Sequence, residues 1–206
     1  MKLHVITDGK RTADELVSIL CSIHSQADHI HVREKNRSAK EIYQIVERLI
    51  DGGIPPKKLI INDRVDVAHS LGVGGVQLAY HSLGVSEVRK SFPDLQIGKS
   101  VHSYQEAVEA EQAGASFLLY GHVYSTMSKE HLKPRGVEEL KAIASAVSIP
   151  VIAIGGITPE KTSELKNIGV KGIAVMSGIM SAKDPLKAAT LYQTNRRKAG
   201  SDERKL

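Results

Sequence analysis

Residues 150–180 read PVIAIGGITPEKTSELKNIGVKGIAVMSGIM. Two short runs rich in β-branched residues, PVIAIGG (150–156) and GIAVMSG (172–178), flank a segment, TPEKTSELKNIG, whose apolar residues recur at three- and four-residue spacing. That is a strand, a helix and a second strand, and a helical crossover between neighbouring strands makes the pair parallel. The same alternation runs outward to the start of the chain. LHVIT (3–7), HIHV (29–32), LIIN (59–62), GVQLA (75–79), QIGKS (96–100) and FLLYG (117–121) read as strands. TADELVSILCSI, SAKEIYQIVERLI, SYQEAVEAEQAGA and GVEELKAIASAV read as helices between them, and DPLKAATLYQTNRRK (184–198) as a closing helix. Eight strands alternating with helices, with no Gly/Ser/Pro linker, predict an α/β fold: a (β/α)8 TIM barrel in a single domain spanning 1–206, with 195–206 as a mobile basic tail. An open, doubly wound sheet is the alternative.

Composition narrows the function classes. A chain of 206 residues that is 41 % hydrophobic can fill one sizeable core. The N-terminus lacks the apolar core of a signal peptide, and charges and Gly/Pro interrupt every apolar run well before a membrane could be spanned, which predicts a soluble, cytoplasmic protein. The single Cys21 has no partner for an intrachain disulfide and reads as a buried small hydrophobe. Of the net charge of +5, three units come from the tail NRRKAGSDERKL, where five Lys/Arg meet two Asp/Glu. With no Trp and two Phe, a base-stacking nucleic-acid surface is not expected, and an anionic small molecule is the better use of the charge. The sequence is compatible with a homo-oligomer and does not decide it.

In a barrel, chemistry belongs at the carboxyl ends of the strands. Gly155-Gly156 and Ser177-Gly178 end the last two, where backbone N–H groups commonly hold a phosphate; tight turns alone would also account for the glycines. In HIHVREK, period-two alternation puts His29, His31, Arg33 and Lys35 on the barrel side, with Ile30, Val32 and Glu34 facing the helices. Arg33 and Lys35 suit a carboxylate or phosphate, unless they pair with an internal acid, while His29 and His31 read as satisfied core histidines. Asn62 and Asp63 follow strand three as ligand contacts or as an N-cap. Ser100 falls at the mouth after strand five, with Ser103 as the N-cap of the next helix and Glu106 in capping-box register. His122, directly after FLLYG, is the candidate acid and base, and the long polar loop 123–135 is a candidate lid.

Taken together, HVREK, INDRVDVA, GVQLA, IGKSVHSYQEA, YGHVYSTMSK and PVIAIGGITPE…GIAVMSGI resemble the thiamin phosphate synthase superfamily over nearly the whole chain. Within it, Gly121-His122 resembles the TenI-type thiazole tautomerases, where synthases carry Gly-Pro. The synthase reaction joins a pyrimidine diphosphate to a thiazole phosphate with magnesium held by two aspartates. Asp63 matches the first of these, but LAYHS puts Ser82 where a GQxD-like segment supplies the second. The resemblance therefore implies an isomerase, a thiazole tautomerase of thiamin biosynthesis. It would convert a carboxylated thiazol-5(2H)-ylidene ethyl phosphate to the aromatic thiazole by proton transfer through His122, without metal or organic cofactor. It further implies Arg33 and Lys35 on the ring carboxylate, the Gly155-Gly156 and Ser177-Gly178 backbones on the phosphate, and Asn62 and Ser100 lining the ring. Lys129 matches a synthase lysine that grips pyrophosphate. The alternatives are a magnesium-dependent thiamin phosphate synthase and a non-catalytic regulator of gene expression.

Overall fold

The computed structural model describes residues 1–126 and 131–198. Eight strands close into one parallel barrel in sequence order: β1 (Lys2–Ile6), β2 (His29–Val32), β3 (Leu59–Asn62), β4 (Gly75–Leu78), β5 (Ile97–Val101), β6 (Phe117–Gly121), β7 (Val151–Ile154) and β8 (Gly172–Val175). The β1–β8 seam closes it, with Val5 opposite Val175. Outside lie α1 (Ala13–Ile23), α2 (Ala39–Asp51), α3 (Val65–Ser70), α4 (Val85–Ser91), α5 (Tyr104–Gln112), α6 (Val137–Ala146), α7 (Thr162–Asn167), α8 (Ser177–Met180) and α9 (Pro185–Lys198). The fold is the (β/α)8 barrel that the alternation predicts. The helix α9 runs through Lys198, so the first residues of the expected tail are helical; 199–206 lie outside the described residues.

Local chemistry starts the helices where the sequence says they start. Thr12 and Ser38 each accept the N–H three residues on, and Glu15 and Glu41 reach back to the cap N–H groups, which makes two complete capping boxes. Losing such a cap costs about 1 kcal/mol. Ser103 caps α5 as expected, but Glu106 accepts from the N–H of His102 rather than from the cap. Neither α3 nor α4 is among the helical patterns read from the sequence: at six and seven residues they are too short to show a period.

Strand alternation divides the core in two. Leu3, Val5, Ile30, Val32, Leu59, Ile61, Val76 and Leu78 face the helices and join the large outer cluster. Ile6, Ile60, Phe117, Leu119, Ile152 and Ala174 fill the barrel interior. The side of the interior formed by β1, β2 and β4 is polar: His4, His31 and Gln77 are all buried, and His4 Nδ1 lies 2.9 Å from His31 Nε2. His31 is therefore only half satisfied, because its Nδ1 has no partner among the described residues. Cys21 is partly rather than fully buried, packed on the outer cluster, and burial raises its thiol pKa, which disfavours the reactive thiolate. No helix of the described residues is long and apolar enough to cross a membrane.

Candidate active site

A cavity of about 640 Å³ opens at the carboxyl ends of the strands, a size suited to a small organic ligand. The nine residues expected to act on or hold the substrate line it, namely Arg33, Lys35, Asn62, Ser100, His122, Gly155, Gly156, Ser177 and Gly178; Asp63, the other candidate contact after strand three, does not. They come from six different strand ends, which could have scattered them. The parallel barrel instead turns every carboxyl end to one side.

Charge in this mouth has one sign. Arg33, Lys35 and Lys161 line it, and among the described residues no aspartate or glutamate does. Arg33 is half-buried and anchored through its backbone N–H, which donates to Thr7 Oγ1 at 2.8 Å. The neighbouring internal acid is engaged elsewhere: Glu34 accepts from Thr7 Oγ1 at 2.7 Å and pairs with Arg37 at 3.2 Å. Burial lowers the Arg33 pKa, and the Glu34 charge opposes that shift. A guanidinium held half out of water with no ion pair among the described residues favours an incoming anion.

Lys161 escaped the sequence reading because it sits inside the helical pattern TPEKTSELKNIG. Pro159 opens a single 3-10 turn there, and this turn returns Lys161 to the rim. Its Nζ lies 3.4 Å from the Gly156 carbonyl oxygen and 3.9 Å from the centroid of the Tyr124 ring, a cation–π contact. Gln77, His81 and His102, also missed, line the cavity from β4 and the turns after β4 and β5. Inward placement at a strand end was the signal available for Gln77.

His122 is 5 % exposed and has its ring at the cavity wall. Its Nε2 is 3.2 Å from the Leu132 carbonyl oxygen, an acceptor, so this nitrogen carries the hydrogen and Nδ1 is the other face of the ring. The loop after it is tied down at both ends: Val123 and Tyr124 N–H groups donate to Ile154 and Gly155 carbonyls, and Arg135 and Gly136 N–H groups donate to His122 and Val123 carbonyls. The middle of the expected lid, with Lys129, lies outside the described residues.

Gly155 and Gly156 have φ of 102° and 64°. A β-carbon on Gly155 would meet the His122 Cβ at 2.3 Å, and one on Gly156 the Ser125 carbonyl oxygen at 2.2 Å. The bare backbone is thus required by the close approach of the β6 loop as well as by the left-handed turn. Gly156→Ala should destabilise the fold by about 2 kcal/mol, read as a lower urea midpoint with unchanged slope. At Gly178 the constraint is the Tyr192 hydroxyl, 2.5 Å from where a β-carbon would stand.

The divalent cation implied by the resemblance does not fit the residues present. Asp63 has φ 64°, does not line the cavity, and presents its carboxylate to His81 Nε2 at 3.4 Å. Ser82 Oγ accepts from the Ala79 N–H at 2.7 Å and so closes its own turn. Among the described residues no three His, Cys, Asp or Glu side chains cluster as a metal site, and Mg²⁺ calls for carboxylate oxygens in near-octahedral order. The expectation that Asn62-Asp63 caps a helix also fails, since the residue before α3 is Arg64 and it makes no side-chain cap.

Comparison with known proteins places this geometry. The family model described as thiamine monophosphate synthase matches residues 3–179. The thiamine-phosphate synthase of Pyrococcus furiosus is 40 % identical over 189 residues, 91 % of each chain, and that of Pyrococcus abyssi 39 % identical over 191 residues, again 91 % of each. The solved structure of thiamine phosphate pyrophosphorylase from Pyrococcus furiosus superposes with a TM-score of 0.83 at 35 % identity, covering 96 % of both chains. These relatives are curated as synthases, which are transferases, and this overturns the isomerase expected from Gly121-His122. One dipeptide changes one group in the mouth, whereas the likeness to synthases runs the length of the barrel. The chain belongs to the thiamine monophosphate synthase family, within thiamin biosynthesis.

Proposed function

We propose that the protein is a thiamin-phosphate-forming transferase that joins a pyrimidine diphosphate to a thiazole phosphate. The observation that carries this reading is a mouth lined by three cations and no carboxylate among the described residues, in a barrel about as long as the synthases it resembles. The thiazole monophosphate sits at the Gly155-Gly156 and Ser177-Gly178 backbones beside Lys161. Asn62 and Ser100 line the ring pocket; the Ser100 hydroxyl is steered by Gln77, whose Nε2 donates to it at 3.0 Å. Arg33 and Lys35 face the diphosphate. A bond forms from the thiazole to the carbon that carried the diphosphate, the carbon–oxygen bond breaks, and pyrophosphate leaves with the electron pair. Charge growing on that leaving group is what fixed cations stabilise best. His122, with Nε2–H engaged by the Leu132 carbonyl, keeps Nδ1 for proton exchange: Nδ1 takes up a proton from solvent and passes it to a pyrophosphate oxygen as the leaving group departs.

Incubating the protein with both partners should yield thiamin phosphate and pyrophosphate, detected by mass spectrometry, with neither formed when one partner is omitted. Failure to form product while both ligands bind would reject the reading. His122→Ala should lower kcat by about 10²-fold with KM for the thiazole phosphate little changed. A rise in KM alone would make the ring a binding contact instead.

A further inference from the structure

The single sign of charge in the mouth bears on how a diphosphate is held there. We propose that this chain seats a diphosphate on fixed protein cations, with no site for Mg²⁺ among the described residues of the mouth; the inference rests on the transferase reading for bringing a diphosphate to this cavity.

Every carboxylate near the ends of β2 to β5 is absent from the cavity lining and has a partner on the protein. Glu34 is buried and held by Thr7 and Arg37. Asp63 is not in the lining; its carboxylate faces His81 at 3.4 Å, and its backbone, in the left-handed conformation, donates N–H to the Gln77 carbonyl at 2.9 Å. Asp66 forms a two-point pair with Arg64, and Glu106 accepts from the His102 N–H at 2.7 Å. What faces the cavity instead is the guanidinium of Arg33 and the ammonium groups of Lys35 and Lys161. A hydrated divalent cation entering here would meet three like charges and, among the described residues, no lining carboxylate. A diphosphate would meet the charges that Mg²⁺ otherwise supplies, already in place. In solution Mg²⁺ pairs with the diphosphate and lowers its charge, so the metal should compete with this seat rather than complete it.

The test titrates inorganic pyrophosphate calorimetrically into the full chain, once in EDTA and once in millimolar Mg²⁺, and repeats both with Asp63→Asn. Expected is binding in EDTA that Mg²⁺ leaves unchanged or weakens, and an Asp63→Asn affinity within about twofold of wild type. In parallel, the free Mn²⁺ signal in electron paramagnetic resonance should be undiminished by adding the protein. Three results would each overturn the proposal: Mg²⁺ strengthening pyrophosphate binding about tenfold or more, no binding in EDTA, or loss of binding in an Asp63→Asn variant whose circular dichroism shows it folded. The two readings fail separately. Metal-free pyrophosphate binding without any coupling product would remove the transferase and leave this seat standing. Coupling that requires Mg²⁺ would do the reverse.

Discussion

Arg33→Met should lower kcat/KM for the coupling by about 10³-fold, because it removes a preorganised charge aimed at the leaving group. The apolar stem of methionine fills much of the same space, and the backbone N–H that anchors this residue to Thr7 is kept, so the thermal midpoint should hold. Arg33→Lys should recover only part of the loss, since an ammonium is a point charge without the two-pronged guanidinium face. Steady-state kinetics on the three proteins checks this. An Arg33→Met enzyme of wild-type kcat/KM would show that the diphosphate is held elsewhere.

Acid should weaken the fold, and His31 should account for about 2.5 kcal/mol of the loss between pH 7 and pH 4.5. Burial, together with the neighbouring His29, lowers the imidazole pKa of His31 from 6.5 to about 3. Between those two values the unfolded chain holds a proton that the folded chain excludes. Stability therefore falls as the pH drops below about 6.5, and the penalty is absent above it. His29, lowered chiefly by burial and then by Lys2, adds in the same direction. His31→Gln keeps a neutral polar side chain that does not titrate, so its urea midpoints at the two pH values should lie closer together by that amount. An equal acid shift in wild type and variant would place the sensitivity in other groups.

The barrel was legible because its signals are local. Period-two alternation in HIHVREK put Arg33 and Lys35 toward the mouth and Glu34 outward, and the structure has them so. The glycine pairs that end β7 mark a real close approach, of the β6 loop onto Gly155 and Gly156. What sequence could not show depends on backbone torsion and on how the chain returns. Asn62 and Asp63 are adjacent and similar, yet a left-handed φ at Asp63 sends one side chain into the cavity and the other to His81. Lys161 reads as the solvent face of a helix until a 3-10 turn returns it beside Gly156. His31 reads as an ordinary core histidine because its neighbours in the barrel, His4 and Phe117, are distant in sequence. The tautomerase expectation erred differently: Gly121-His122 and Ser82 in place of a second aspartate were weighed above a likeness spanning the whole barrel.

The most direct measurement of the central claim is a crystal structure of the protein grown with thiazole phosphate and pyrophosphate together. The monophosphate should lie against the backbone at 155–156 and 177–178 within hydrogen-bond reach of Lys161, and the pyrophosphate against Arg33 and Lys35 in the same molecule. Phosphates bound outside the mouth, or both ligands excluding one another from a single position, would contradict it.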